Sequence, residues 1–113
     1  MDIIFADKKL KKYANDNRLA KQKLGPKRAT LFQRRLQDMA DVNSFNDLQY
    51  LPRNYHQLKN DRAEQWACDL DQPYRLVFMP GITPIPKDKH GKQVLTEIEI
   101  VDILEITNYH KEK

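Results

Sequence analysis

The spacing of apolar residues changes once along this chain, and the change limits the folds open to it. In the first third, apolar side chains recur every three or four positions, as at Ala29, Phe32 and Leu36, which is typical of a helix packed on one face. From Tyr55 onward, polar and apolar residues alternate, as in a strand with one buried face. A short apolar run at residues 3–5 adds a strand before the helices. The order strand, helix, helix, strands predicts an α+β fold.

Two helices are predicted after the first strand. Asp7 is a natural N-cap for a lysine-rich helix whose apolar face runs from Leu10 to Leu24. Gly25 and Pro26 end this helix, because glycine suits the position after a helix and proline suits the first turn of the next one. We expect the two helices to pack as a hairpin.

The remaining two thirds predict a small sheet. Residues 43–53 predict a connecting turn that contributes core residues, namely Phe45, Leu48 and Leu51. The alternating segments that follow lie at 55–58, 64–70, 74–79 and about 95–107. Residues 80–93 contain three prolines and two glycines, which predicts a long exposed loop. With 113 residues there is room for one core, so we expect a single domain over residues 1–113, with the first strand and the hairpin packed on a mainly antiparallel sheet.

Positive charge is concentrated at the amino-terminal end. Residues 1–35 hold eleven Lys or Arg against three Asp, whereas the remainder holds nine against thirteen acids. A basic surface attracts polyanions, so RNA, DNA or an acidic protein segment are the expected partners. Basic side chains that only solvate the helices would give the same composition.

Several classes of protein and site are not expected. There is no long apolar run and no signal-peptide pattern at the start, so we expect a cytoplasmic protein without a membrane span. Cys68 is the only cysteine and is predicted to be a buried small hydrophobe, and Trp66 is predicted to pack in the core. We expect no metal and no cofactor, because spaced histidines, cysteine pairs and a phosphate-binding glycine loop are missing from the sequence.

Polar residues suited to RNA cleavage cluster in three places, each on or beside a predicted strand. The catalytic candidates are His56, Arg75, Tyr109 and His110, and the candidates for RNA or phosphate binding are Lys59, Arg62 and Asn108. Cleavage without a metal needs a base for the 2′-hydroxyl, cations for the charge on phosphorus and an acid for the leaving 5′-oxygen. Two histidines can share the first and last of these roles, because imidazole titrates near neutral pH.

Structural roles for the same residues stay open at this point. His56 can be a half-buried histidine bonded to the backbone, and Arg75 can form an ion pair with Asp69 or Asp71. Tyr109 and His110 can belong to a frayed tail.

The order of these motifs resembles the RelE/ParE toxin superfamily, and the HigB-type branch within it. The resemblance rests on the stretches His56-Gln57-Leu58-Lys59-Asn60-Asp61-Arg62, Trp66, Tyr74-Arg75-Leu76-Val77-Phe78 and Tyr109-His110. It implies a RelE-like fold and the toxin of a type II toxin–antitoxin system, an endoribonuclease (messenger RNA interferase) that cleaves messages on the ribosome and inhibits translation. It also implies a helix-turn-helix, HigA-like antitoxin as partner, with ribosomal RNA meeting the basic helices.

Two residues depart from the branch pattern. Asn60 stands where glycine is usual, and asparagine also accepts left-handed backbone geometry. Asn108 stands where aspartate is usual, and an amide cannot hold an imidazolium by charge. Two rival hypotheses stay open: a ParE-like toxin on the same fold that inhibits DNA gyrase without catalysis, and, because of Asn108, a catalytically weakened homologue that only binds a partner.

Overall fold

The computed structural model describes residues 1–108, and within them the chain forms four helices and a five-stranded sheet. The helices are α1 (Lys8–Asn15), α2 (Asn17–Leu24), α3 (Pro26–Asp41) and α4 (Phe45–Leu48). The strands are β1 (Asp2–Phe5), β2 (His56–Gln57), β3 (Trp66–Asp69), β4 (Tyr74–Pro80) and β5 (Ile100–Asn108). Short 3₁₀ turns lie at Asn60–Arg62 and Leu95–Glu97. The α+β class predicted from the sequence is confirmed.

The sheet has the strand order β1-β5-β4-β3-β2. Strands β2 to β5 form an antiparallel meander, and β1 adds to the edge of β5 in parallel. Each of the meander's connections joins neighbouring strands. The register of β4 against β5 shifts between Val77 and Phe78, where an irregularity interrupts the ladder. The prediction of a mainly antiparallel sheet is confirmed.

One face of the sheet is covered by the helices and forms the core. Leu76 and Phe78 of β4 pack there with Phe32, Leu36 and Met39 of α3. Removing these side chains from water is the main stabilising contribution to such a layered fold. Trp66 is 3% exposed, with its ring edge-on to Phe45, and Cys68 is fully buried, so both predictions for these residues are confirmed.

The predicted hairpin contains three helices rather than two. The helix expected to run unbroken to Leu24 is interrupted at Asp16, whose backbone is extended (φ −138°, ψ 94°). The Asp16 carboxylate accepts a hydrogen bond from the amide of Leu19 and so caps α2. The apolar faces of α1 and α2 both pack on the core, so the helical spacing of apolar residues continues across Asp16. The break therefore could not be predicted from this spacing. None of the helices within residues 1–108 is long and apolar enough to cross a membrane.

The last strand also differs from the prediction. Residues Leu95–Glu97 form a 3₁₀ turn, and β5 begins only at Ile100. The loop is exposed at residues 83–84 and 87–92, as predicted, and it is tied to the rest of the fold where the indole nitrogen of Trp66 donates to Gln93 at 2.9 Å and where Lys87 pairs with Glu64. Strands β2 and β3 are shorter than the segments predicted at 55–58 and 64–70.

Candidate active site

The face of the sheet turned away from the helices carries two of the predicted catalytic residues. Side chains alternate between the faces of a strand, so Arg75 lies opposite in direction to the core residue Leu76. The strand register places Asp69 directly across from Arg75, and His56 directly across from Ala67. His56, Asp69 and Arg75 therefore share one face.

A cavity of about 210 Å³ lies at this end of the sheet. It is formed by residues before β2, by the end of β3 and by the turn that leads into β4. Its lining residues are Asn54, His56, Asp69, Gln72, Pro73, Tyr74 and Arg75. A cationic guanidinium and an imidazole in one polar hollow suit an anionic group such as a phosphodiester.

A hydrogen bond to the backbone holds the ring of His56. Its Nδ1 lies 2.8 Å from the carbonyl oxygen of Asn54, and the side chain is half-buried. The turn before it has two residues in the left-handed region, Arg53 at φ 86° and Asn54 at φ 58°. The amide of Asp69 donates to the carbonyl of Arg53 at 2.9 Å and ties this turn to β3. The structural role considered for His56 is therefore present, and the same residue also lines the cavity.

A second set of contacts supports the opposite wall. Arg28 of α3 donates two hydrogen bonds to Asp71, and its guanidinium carbon lies 3.5 Å from the centre of the Tyr74 ring. Burial is the largest single influence on Asp71 and opposes ionisation, but hydrogen bonding to Arg28 and to a backbone amide, together with the charges of Arg28 and Lys27, outweighs it and lowers the pKa of the carboxyl. Asp71, one of two acids considered as an ion-pair partner for Arg75, is thus engaged by Arg28.

The end of β3 is also braced from the helical layer. Arg35 of α3 is 5% exposed, and its Nε donates to the carbonyl oxygen of Asp69 at 2.9 Å. Its guanidinium lies 3.7 Å from Asp38. A buried arginine fixed in this way keeps Asp69 and the attached Arg53 turn in place.

Lys59 and Arg62 lie on the connection between β2 and β3, outside the cavity lining. Lys59 is exposed, and Arg62 forms an ion pair with Glu105 of β5 at 3.3 Å. Arg62 thus reaches over the open face of the sheet, towards its centre. Asn60 adopts φ 59°, so the expectation that asparagine accepts left-handed geometry here is confirmed.

The structure does not bring Asn108 together with His56 and Arg75. Asn108 is across from Tyr74 in the register, whereas Thr107 is across from Arg75. Because paired residues share a face and neighbours alternate, Asn108 lies on the helix-covered side with Tyr74. Tyr109 and His110 lie outside the described residues.

The cavity lining includes Asn54 and Gln72, which were not predicted from the sequence. It also includes Asp69, which the sequence suggested only as an ion-pair partner for Arg75. The period-two spacing of β3 is a signal for Asp69, since it places this residue and Ala67 on one face. Asn54 and Gln72 lie in turns, where no periodic signal exists. Within residues 1–108 no group of three or more His, Cys, Asp or Glu is placed to hold a metal ion.

A larger cavity, of about 590 Å³, lies near the other end of the same face. Its walls include Ile4, Met79 and Gly81, with Asp102 of β5 among them. Burial raises the pKa of Asp102, and the nearby backbone amide of Ala6 offsets this only in part. None of the residues predicted to carry chemistry lines this cavity.

Basic side chains cover the outside of the helical layer. The exposed ones on or beside α1, α2 and the start of α3 are Lys8, Lys9, Lys11, Lys12, Arg18, Lys21, Lys23 and Lys27.

Comparison with known proteins found no match for this chain among family models, curated proteins or solved structures.

Proposed function

We propose that this chain is an endoribonuclease that cleaves messenger RNA by attack of a 2′-hydroxyl on the adjacent phosphate. The observation that supports the proposal is the meeting of His56 and Arg75 in one polar cavity, although they lie on different strands. This reaction needs a proton acceptor and a cation at the phosphate, and these two side chains provide both.

Each group has a distinct task in the proposed reaction. The imidazole of His56 exchanges a proton with the RNA, and the guanidinium of Arg75 stabilises the charge that develops on the phosphorane oxygens. A second proton-transfer group is needed for the leaving 5′-oxygen, and Tyr109 and His110 are the sequence candidates. The products are one fragment with a 2′,3′-cyclic phosphate and one with a 5′-hydroxyl.

The substrate proposed is messenger RNA on the ribosome, and the setting is a type II toxin–antitoxin pair with a RelE-like toxin. This part of the proposal depends on the resemblance of the motifs to the HigB-type branch. The exposed lysines and arginine of the helical layer support it, since a cationic surface favours binding to ribosomal RNA. An antitoxin that covers either surface would silence the protein.

The test is translation in a cell extract with purified protein, with message ends mapped by primer extension in the presence and absence of ribosomes. The proposal predicts new 5′ ends only when ribosomes are present, and cyclic phosphate on the upstream fragments. Intact messages, together with gyrase inhibition in a supercoiling assay, would instead favour the ParE-like hypothesis. Messages left intact without gyrase inhibition would favour a weakened, partner-binding homologue.

A further inference from the structure

The hydrogen bond between His56 and Asn54 determines which ring nitrogen of His56 is available. Nδ1 lies 2.8 Å from the carbonyl oxygen of Asn54. A carbonyl oxygen only accepts hydrogen bonds, so Nδ1 must be the nitrogen that carries the hydrogen. In the neutral ring Nε2 is then unprotonated and can accept a proton.

We propose that the backbone carbonyl of Asn54 is a positioning group that fixes the Nδ1–H tautomer of His56, so that Nε2 is the base of the cavity. The tautomer is a property of the protein alone, whereas the role as base rests on the proposed function. In that reaction the 2′-hydroxyl proton moves to Nε2 while the 2′-oxygen bonds to phosphorus. The bond from phosphorus to the 5′-oxygen breaks, and that oxygen takes a proton from a second group.

The turn that contains Asn54 has an unfavourable backbone conformation and is stabilised by hydrogen bonds from β3 and α3. Arg53 and Asn54 both have positive φ, a backbone conformation that is sterically unfavourable for residues other than glycine. Two hydrogen bonds oppose relaxation of the turn: the amide of Asp69 donates to the carbonyl of Arg53, and Arg35 donates to the carbonyl of Asp69. A series of contacts therefore leads from α3 to the ring of His56.

The direct test is nitrogen NMR of the histidine side chains in uniformly ¹⁵N-labelled protein, at a pH where the rings are neutral. Loss of signals in His56→Ala assigns the ring. His90, whose side chain is exposed in the loop before β5, is the internal reference for an imidazole in water. We expect Nδ1 of His56 to be protonated and Nε2 to be unprotonated, while His90 shows the tautomer mixture of a histidine side chain in water. A His56 ring with hydrogen on Nε2 would overturn the proposal.

Two substitutions at Asn54 extend the test. Asn54→Gly retains both the carbonyl and the left-handed geometry, so the Nδ1–H tautomer should persist. Asn54→Val disfavours positive φ because of its branched Cβ, so the tautomer ratio should move towards that of His90. If Asn54→Val does not fold, the wild-type and Asn54→Gly spectra still decide the question. Loss of the Nδ1–H tautomer in Asn54→Gly would contradict the role of the carbonyl.

These outcomes are separable from those of the proposed function. An Nδ1–H tautomer in a protein that cuts no RNA would overturn the ribonuclease and leave the positioning role of Asn54 intact. Cleavage by a protein whose His56 carries hydrogen on Nε2 would support the ribonuclease and overturn the positioning role of Asn54.

Discussion

Arg28 binds the carboxylate of Asp71 through two hydrogen bonds, 2.9 Å from Nε to Oδ1 and 3.0 Å from Nη2 to Oδ2. Arg28 lies on α3 and Asp71 lies in the turn between β3 and β4, so the pair joins the helical layer to one wall of the cavity. The side chains are 22% and 17% exposed, so solvent screens this pair less than an ordinary surface pair.

Arg28→Ala should lower the free energy of unfolding by about 2 kcal/mol, because it leaves the carboxylate of Asp71 largely buried without its main partner. Urea denaturation would measure the change. Arg34→Ala, on the exposed side of the same helix, is the matched control and should change stability by less than about 0.5 kcal/mol. Equal losses in the two variants would contradict this assignment.

Asp102→Asn should stabilise the protein at neutral pH. Burial raises the pKa of the Asp102 carboxyl in the folded state. An aspartate in the unfolded chain has a pKa of about 3.9. Above this pH the folded protein becomes less stable, because ionising the buried carboxyl costs more free energy than ionising the same group in the unfolded chain. The gain should be full above the folded-state pKa and should vanish as the pH falls below about 3.9. Urea denaturation across this pH range tests the sign, with Asp2→Asn on exposed β1 as control. A variant less stable than wild type at neutral pH would refute the prediction.

Gly81→Ala should be destabilising by about 1–3 kcal/mol through overpacking. A Cβ on Gly81 would lie 2.6 Å from Cγ2 of Ile100 and 3.2 Å from Cδ1 of Ile4. The Ile100 methyl is close to its own backbone and cannot swing away. In the Ile100→Ala background, the same change should cost much less. Additive losses in this double-mutant cycle would show that the clash is not the cause.

Lys59→Ala should weaken binding to RNA without changing the fold, since Lys59 is exposed beside the proposed site. Removal of one phosphate contact should lower the slope of log affinity against log salt by about one. Titration with a fluorescent RNA carrying a 2′-deoxy cleavage site measures both quantities. Lys89→Ala, which removes an exposed lysine from the loop before β5, should leave the slope unchanged.

Most of the fold could be predicted from the spacing of apolar residues, because buried side chains recur every three or four positions in a helix and every two positions in a strand. The alternation at residues 74–79 predicted the strand that the structure has as β4, and the Gly25-Pro26 pair marked a helix boundary that the structure places there. The break at Asp16 was missed because a cap between two helices that share one apolar face leaves the period unchanged. The start of β5 was placed too early because Leu95 packs against the core from a 3₁₀ turn, outside any strand.

The site was predictable only where it lies on strands. The positions of His56 and Arg75 on one face follow from strand alternation and pairing. With the observed register, strand alternation places Asn108 on the opposite face, across from Tyr74. This register depends on the irregularity between Val77 and Phe78, which the sequence pattern does not reveal. The contribution of Asn54 acts through a backbone carbonyl, which every residue type has, so no side-chain pattern could indicate it.

The most direct test of the central claim compares His56→Ala with His90→Ala in the translating extract, with message ends mapped by primer extension. Both remove one histidine, but His56 lines the cavity and His90 is exposed in the loop before β5. Loss of a proton-transfer group costs roughly 10²- to 10⁴-fold in rate, so His56→Ala should abolish the ribosome-dependent cuts while His90→Ala retains them. Undiminished cutting by a folded His56→Ala protein would contradict the account.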